Sequence, residues 1–164
     1  MKVMKAYKLC RLGKDGKIYP LYVLANNPLP IGVWLEAEEG IMASDNKHVK
    51  SRLGNLAFRP GYHMISMPRV FHLGMKLHKE DKLPSFRNKE HVWCECSVDT
   101  TIHYEDYRAM KAIPKNGYYK FKTNPNARDE WYIAGRIKID KVLTDEEVHE
   151  INSIDGIYDM PREK

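Results

Sequence analysis

Trp131-Tyr-Ile-Ala-Gly-Arg-Ile-Lys-Ile139 is the stretch that decides the fold. Trp131, Ile133, Ile137 and Ile139 recur with a period of two, which predicts a strand with one apolar face. Gly135 falls on that same face, and a glycine inside a strand predicts a bulge or a close backbone approach. Val92-Trp-Cys-Glu-Cys-Ser-Val98 repeats the pattern: Val92, Cys94, Cys96 and Val98 face one way, Trp93 and Glu95 the other.

Working outward, residues 3–12 alternate, with Tyr7, Leu9 and Arg11 on one side and Lys8, Cys10 and Leu12 on the other. Gly13-Lys-Asp-Gly16 predicts a hairpin turn and residues 17–24 a return strand, with Pro20 at an edge or bulge. Gly32 to Ala37 begins another short element, and Tyr118 to Lys122 reads as a strand after the Lys115-Asn-Gly turn. Tyr104 to Ala112 has helical spacing. Thr144 with Glu147 three positions on forms a capping box for a helix over about 145–155, stopped by Gly156. Long loops are expected at about 38–55 and 76–90. The class is α+β: a single domain over 1–164, with a mainly antiparallel sheet, two or three short helices and long basic loops.

Composition narrows the function. With 43% hydrophobic residues the chain can bury a core, and none of its apolar runs is long enough to span a bilayer. Three cysteines fit a reducing compartment better than a disulfide framework, so a soluble cytoplasmic protein with no membrane partner is expected. The formal charge is +5, and residues 47–89 carry 10 Lys/Arg against 2 Asp/Glu. That excess points to an anionic ligand, a dinucleotide or a nucleic acid. A solvated basic loop is the plainer explanation of the same run.

The densest set of reactive side chains is Arg59-Pro-Gly-Tyr-His-Met-Ile-Ser66, followed by Arg69 and His72, on an expected turn and short helix. Two further positions stand out. Arg11, on the first strand, is suited to clamping a pyrophosphate. Glu130, before the Trp131 strand, is suited to ribose hydroxyls and an oxocarbenium-like transition state. Cys94-x-Cys96, flanked by His91 and His103, lacks zinc-site spacing, and no metal is expected. Neither a nucleophile elbow nor a glycine-rich phosphate loop occurs.

In this order, Gly61-Tyr-His-Met-Ile-Ser66 and Val70-Phe-His72, with Arg11 before and Glu130 after, resemble the ADP-ribosyltransferase core. The resemblance implies NAD as substrate, bound in a cleft formed by the first strand and the Tyr62 turn. Glu130 and His63 are then the catalytic candidates, and Arg11, Tyr62, Ser66, Arg59, Arg69 and His72 the binding candidates. Arg128 stands where that family places a second Glu or Gln, so the resemblance does not specify an acceptor. The phrases around Arg59, Gly117 and Trp131 also resemble uncharacterised proteins of bacterial viruses and mobile elements, which implies a setting and no reaction.

Two other readings stand beside the transferase. One is a metal-independent ribonuclease with His63 and His72 as acid and base. The other is a non-catalytic module that binds nucleic acid or a host protein. Tyr62 is as well suited to a core position, and Arg11 to an internal ion pair. The sequence leaves the oligomeric state open.

Overall fold

A computed structural model describes residues 1–70, 83–105, 111–121 and 128–159. The strands are β1 (Val3–Leu12), β2 (Ile18–Tyr19), β3 (Trp34–Glu36), β4 (His48–Ser51), β5 (Gly54–Ala57), β6 (Tyr62–Ile65), β7 (His91–Asp99), β8 (Ile102–His103), β9 (Gly117–Phe121), β10 (Trp131–Ala134) and β11 (Arg136–Val142). The α-helix among the described residues is α1 (Asp145–Asn152). Strand pairing is antiparallel except between β8 and β9.

The main sheet runs β3-β11-β7-β1-β6-β10-β9-β8, with β2 paired to β1. β10 and β11 are separated only by Gly135, so the path β11-β7-β1-β6-β10 starts and ends on one segment of chain and closes on itself. The long ladder is β1 with β7, from Val3 opposite Asp99 to Arg11 opposite His91. The predicted strand over 131–139 is thus two strands, and side-chain parity shifts between them. Trp131 packs on the outer face, Ile133 meets Tyr119, and Ile137 and Ile139 turn inward. Gly135 makes the break possible: a Cβ there would lie 2.2 Å from the Pro114 carbonyl oxygen.

The enclosed face holds Ala6, Cys10, Met64, Cys94, Cys96, Val98, Ala134, Ile137 and Ile139, all fully buried. A ring of so few strands has a narrow interior, filled by side chains. Alanine and cysteine at five of these positions fit that narrowness. The outer face carries Tyr7, Leu9, Ile65, Trp93 and Trp131, covered on one side by Val148 and Ile151 of α1. Thr144 caps α1 with the expected reciprocal pair to Glu147, and burying Val148 contributes roughly 1.5–3 kcal/mol.

Several expectations need correction. Residues 62–65 are a strand, not part of a short helix. The return strand after the first hairpin stops at Tyr19, because Pro20 cannot continue a ladder. The expected loop at 38–55 contains β4 and runs into β5, a polar hairpin with Gly54 at φ +102. The expected helix near 145–155 is α1 followed by a 3-10 turn over Ser153–Asp155. The core of the Tyr104–Ala112 helix, the helix after Val70 and residues 76–82 of the second basic loop lie outside the described residues.

Three segments meet at Arg69, which is 2% exposed. Its guanidinium donates to both carboxylate oxygens of Asp129 (2.8 and 2.7 Å) and both of Asp155 (2.9 and 2.6 Å). Asn152 donates to the Pro68 carbonyl at 3.0 Å. The chain after β6, the approach to β10 and the turn after α1 are therefore fastened together.

Two substitutions test this. Arg69→Met leaves Asp129 buried without its cation and is expected to cost about 3–5 kcal/mol in a urea melt. Gly135→Ala is expected to cost about 1–3 kcal/mol or more, because the Pro114 backbone has to move. A melt unchanged by Gly135→Ala would contradict the closure.

Candidate functional site

A cavity of about 550 Å³ opens against the outer face, where β1 meets the Arg59–His63 turn. Tyr7, Leu9, Trp93 and Trp131 belong to its sheet wall, and the chain from Pro20 to Leu29 to another. Trp34 to Glu39 and the inward residues Val49 and Leu56 of the β4–β5 hairpin complete it. Gly61, at φ +131, lets the turn pass beneath it, since a Cβ there would meet Ile133 at 2.5 Å.

Of the candidates, Arg59, Tyr62 and His63 line this cavity. The Tyr62 hydroxyl donates to the Glu36 carbonyl at 3.2 Å. Burial first, and then Glu38 and Glu36, push its pKa up to about 12. His63 Nε2 donates to the Arg59 carbonyl at 3.1 Å, and burial pulls the imidazole down to about 4 against that hydrogen bond, with the charges of Lys8 and Arg59 adding to the lowering. A ring that stays neutral near pH 7 is unsuited to donate a proton as an imidazolium.

Arg11, Ser66, Arg69 and Glu130 do not line the cavity. Arg11 donates to the Ala25 carbonyl at 2.6 Å and lies 4.9 Å over the Tyr19 ring, fastening the segment after β2. Ser66 and Glu130 hold each other: the Ser66 N–H donates to the Glu130 carbonyl (2.9 Å), and the Glu130 N–H donates to the Ser66 hydroxyl (3.1 Å). The Glu130 carboxylate accepts from Tyr132 (2.6 Å) and Lys120 (3.3 Å). Tyr7 pairs with Ile65, the neighbour of Ser66, and Arg11 lies four residues further along β1. Glu130 is level with Ser66 and so with Ala6, five residues from Arg11, which at about 3.4 Å per residue puts them roughly 17 Å apart along the strand direction alone. The three-part constellation expected from the sequence does not converge. Arg69 is a structural cation enclosed by carboxylates, and His72 lies outside the described residues.

Lys8 was missed. It alternates with the fully buried Ala6 and Cys10, yet its ammonium reaches the cavity wall. It donates to the His63 carbonyl at 3.3 Å and sits 5.8 Å from the Tyr62 ring centre, with no carboxylate partner among the described residues. A lysine in the middle of an otherwise inward-facing apolar set was the available signal. Glu36, Glu38 and Glu39, which also line the cavity, are exposed, and Glu36 pairs with Arg136 at 3.3 Å.

Cys10, Cys94 and Cys96 are buried inside the ring. Burial pushes the Cys96 thiol up, and the Cys10 neighbour followed by burial does the same for Cys94, which suits a packing role. No group of three or more His, Cys, Asp or Glu among the described residues is arranged to hold a metal ion. No helix among them is long and apolar enough to cross a membrane. Comparisons with protein-family models, curated proteins and solved structures return no match.

The His63 environment has a measurable consequence. The unfolded imidazole takes its proton near 6.5 and the folded one near 4, so stability is lost as pH falls through that window. The loss is at most about 3 kcal/mol for His63, and His91, lowered chiefly by burial, adds in the same direction. Urea melts of His63→Gln are expected to show a shallower decline between pH 7 and 4.5 than the parent protein. An identical decline would mean that His63 is protonated in the folded state.

Proposed function

We propose that the protein is a ligand-binding module, and that its ligand is a compact molecule with a planar apolar body and one anionic or acceptor group. The observation that carries this reading is the cavity between β1 and the Tyr62 turn, whose volume of about 550 Å³ is typical of small-molecule sites. Its wall of Trp93, Trp131 and Tyr62 suits a flat ring. Lys8 suits a phosphate or carboxylate, with Arg59 on the same wall.

Adenine and nicotinamide nucleotides are therefore the first class to test. The acidic rim of Glu36, Glu38 and Glu39 favours a single phosphate held at Lys8 over a long polyphosphate crossing the mouth. The separation of Glu130 and Arg11 from the cavity supports binding over glycosyl transfer.

Titration calorimetry with AMP, nicotinamide mononucleotide and NAD is the test. Lys8→Met is expected to weaken the bound nucleotide by about 10- to 100-fold, the range for a hydrogen bond to a charged group. Glu130→Gln is expected to leave affinity within about twofold. Consumption of NAD that disappears in Glu130→Gln would restore the transferase, and no heat with any of the three nucleotides would remove this ligand class.

A further inference from the structure

The basic excess of residues 47–89 is not spread evenly over the described surface. Arg69 is enclosed by Asp129 and Asp155, and Arg87 is paired with Asp145 at 2.8 Å. Lys47, Lys50 and Arg52 are exposed on and beside the β4–β5 hairpin, without a carboxylate partner among the described residues. His48 alone there is paired, its Nδ1 lying 2.5 Å from Asp45.

Hairpin register sorts the side chains by face. Val49 is buried and Leu56 half-buried against the cavity, while His48, Lys50 and Asn55 face outward. Lys50 lies on the outward face of β4, Lys47 just before that strand and Arg52 just after it, so the cations follow the chain as a row instead of a cluster. Exposed apolar groups stand beside this row. The Arg52 N–H donates to the carbonyl of Tyr22, whose side chain is 42% exposed, and the Lys50 N–H donates to the carbonyl of the exposed Ile41. Leu53, at the tip, is 71% exposed.

We propose that the outward face of this hairpin, with Tyr22 beside it, docks a single-stranded nucleic acid. Lys47, Lys50 and Arg52 contact successive backbone phosphates, and Tyr22 stacks on a base. A row of unpaired cations flanked by an exposed aromatic ring is the chemistry that single strands require, and it reads no sequence. The three cations do not line the cavity, although Tyr22 borders it, and this inference does not depend on the nucleotide reading.

Fluorescence anisotropy with a labelled 15-nucleotide oligo-dT, across a salt series, is the experiment. The parent protein is expected to bind with an affinity that falls linearly in log–log form with salt. The Lys47→Ala/Lys50→Ala/Arg52→Ala variant is expected to lower that slope by about 2, at roughly 0.7 per phosphate contact. Tyr22→Ala is expected to weaken binding about tenfold with the slope unchanged. All four side chains are exposed, and thermal melts report whether each variant stays folded. Absence of binding at 50 mM salt, or a slope and affinity unchanged in the triple variant, would overturn the proposal. Equal binding of a duplex of the same length, with Tyr22→Ala silent, would overturn the single-strand assignment.

Discussion

One segment of chain, residues 131–142, serves as two strands, and the rest of the structure follows from that constraint. For β10 to pair with β6 while β11 pairs with β7, the backbone has to turn at Gly135 against the Pro114 carbonyl. The turn at Gly61 has to pass just as closely over Ile133 and Ala134. Side chains larger than hydrogen are excluded at both contacts. Closure leaves an interior filled mostly by small and branched apolar groups, with Met64 and Tyr132 the large ones, and Tyr7, Trp93 and Trp131 lie on the outer face.

That outer face needs cover, and α1 is too short to supply it. Eight residues of helix span about 12 Å. The remainder is overlaid by the excursion from Pro20 to Phe58, built from turns, a three-residue strand and an isolated hairpin. Extended and looping chain does not interdigitate with a sheet as a helix does, and the space left between them is the cavity. An empty apolar void costs stability in proportion to its volume. This one opens to solvent beside the exposed Glu36, Glu38 and Glu39.

Local pattern made part of this legible. The two faces of β1 and β7 follow directly from alternation, and the Thr144–Glu147 cap follows from residue types at fixed spacing. Gly135 was recognisable as an irregularity. Its consequence, the inward rotation of Ile137 and Ile139 relative to Trp131, depends on which strands lie on either side, and periodicity carries no information about partners. The hairpin at 48–57 was hidden because its outward face is polar and its inward face has only Val49 and Leu56 to mark it. For the site, the Tyr62 turn was found through its density of functional groups. Arg11 and Glu130 were linked to it by sequence order alone. Arg11 is instead occupied by Tyr19 and the Ala25 carbonyl, and Glu130 by Tyr132 and Lys120.

Charge on this molecule divides according to what surrounds it. A buried guanidinium is tolerable only when its donors are satisfied, and Arg69 meets that condition with two carboxylates in a bidentate arrangement. Such a cation is unavailable to a ligand, however basic the surrounding sequence. The β4–β5 hairpin is the opposite case. An isolated two-stranded ribbon is marginal in water, so its order rests on the inward Val49 and on backbone bonds to Tyr22, Ile41 and Ala43. Its outward cations contribute little to that order and remain free to interact. The same ribbon therefore presents an apolar face to the cavity and a cationic face to solvent. With Glu38 and Glu39 at the cavity rim and Lys50 and Arg52 on the outer surface, the two proposed sites would divide their ligands by size, long polyanions to the ribbon and compact molecules to the cavity.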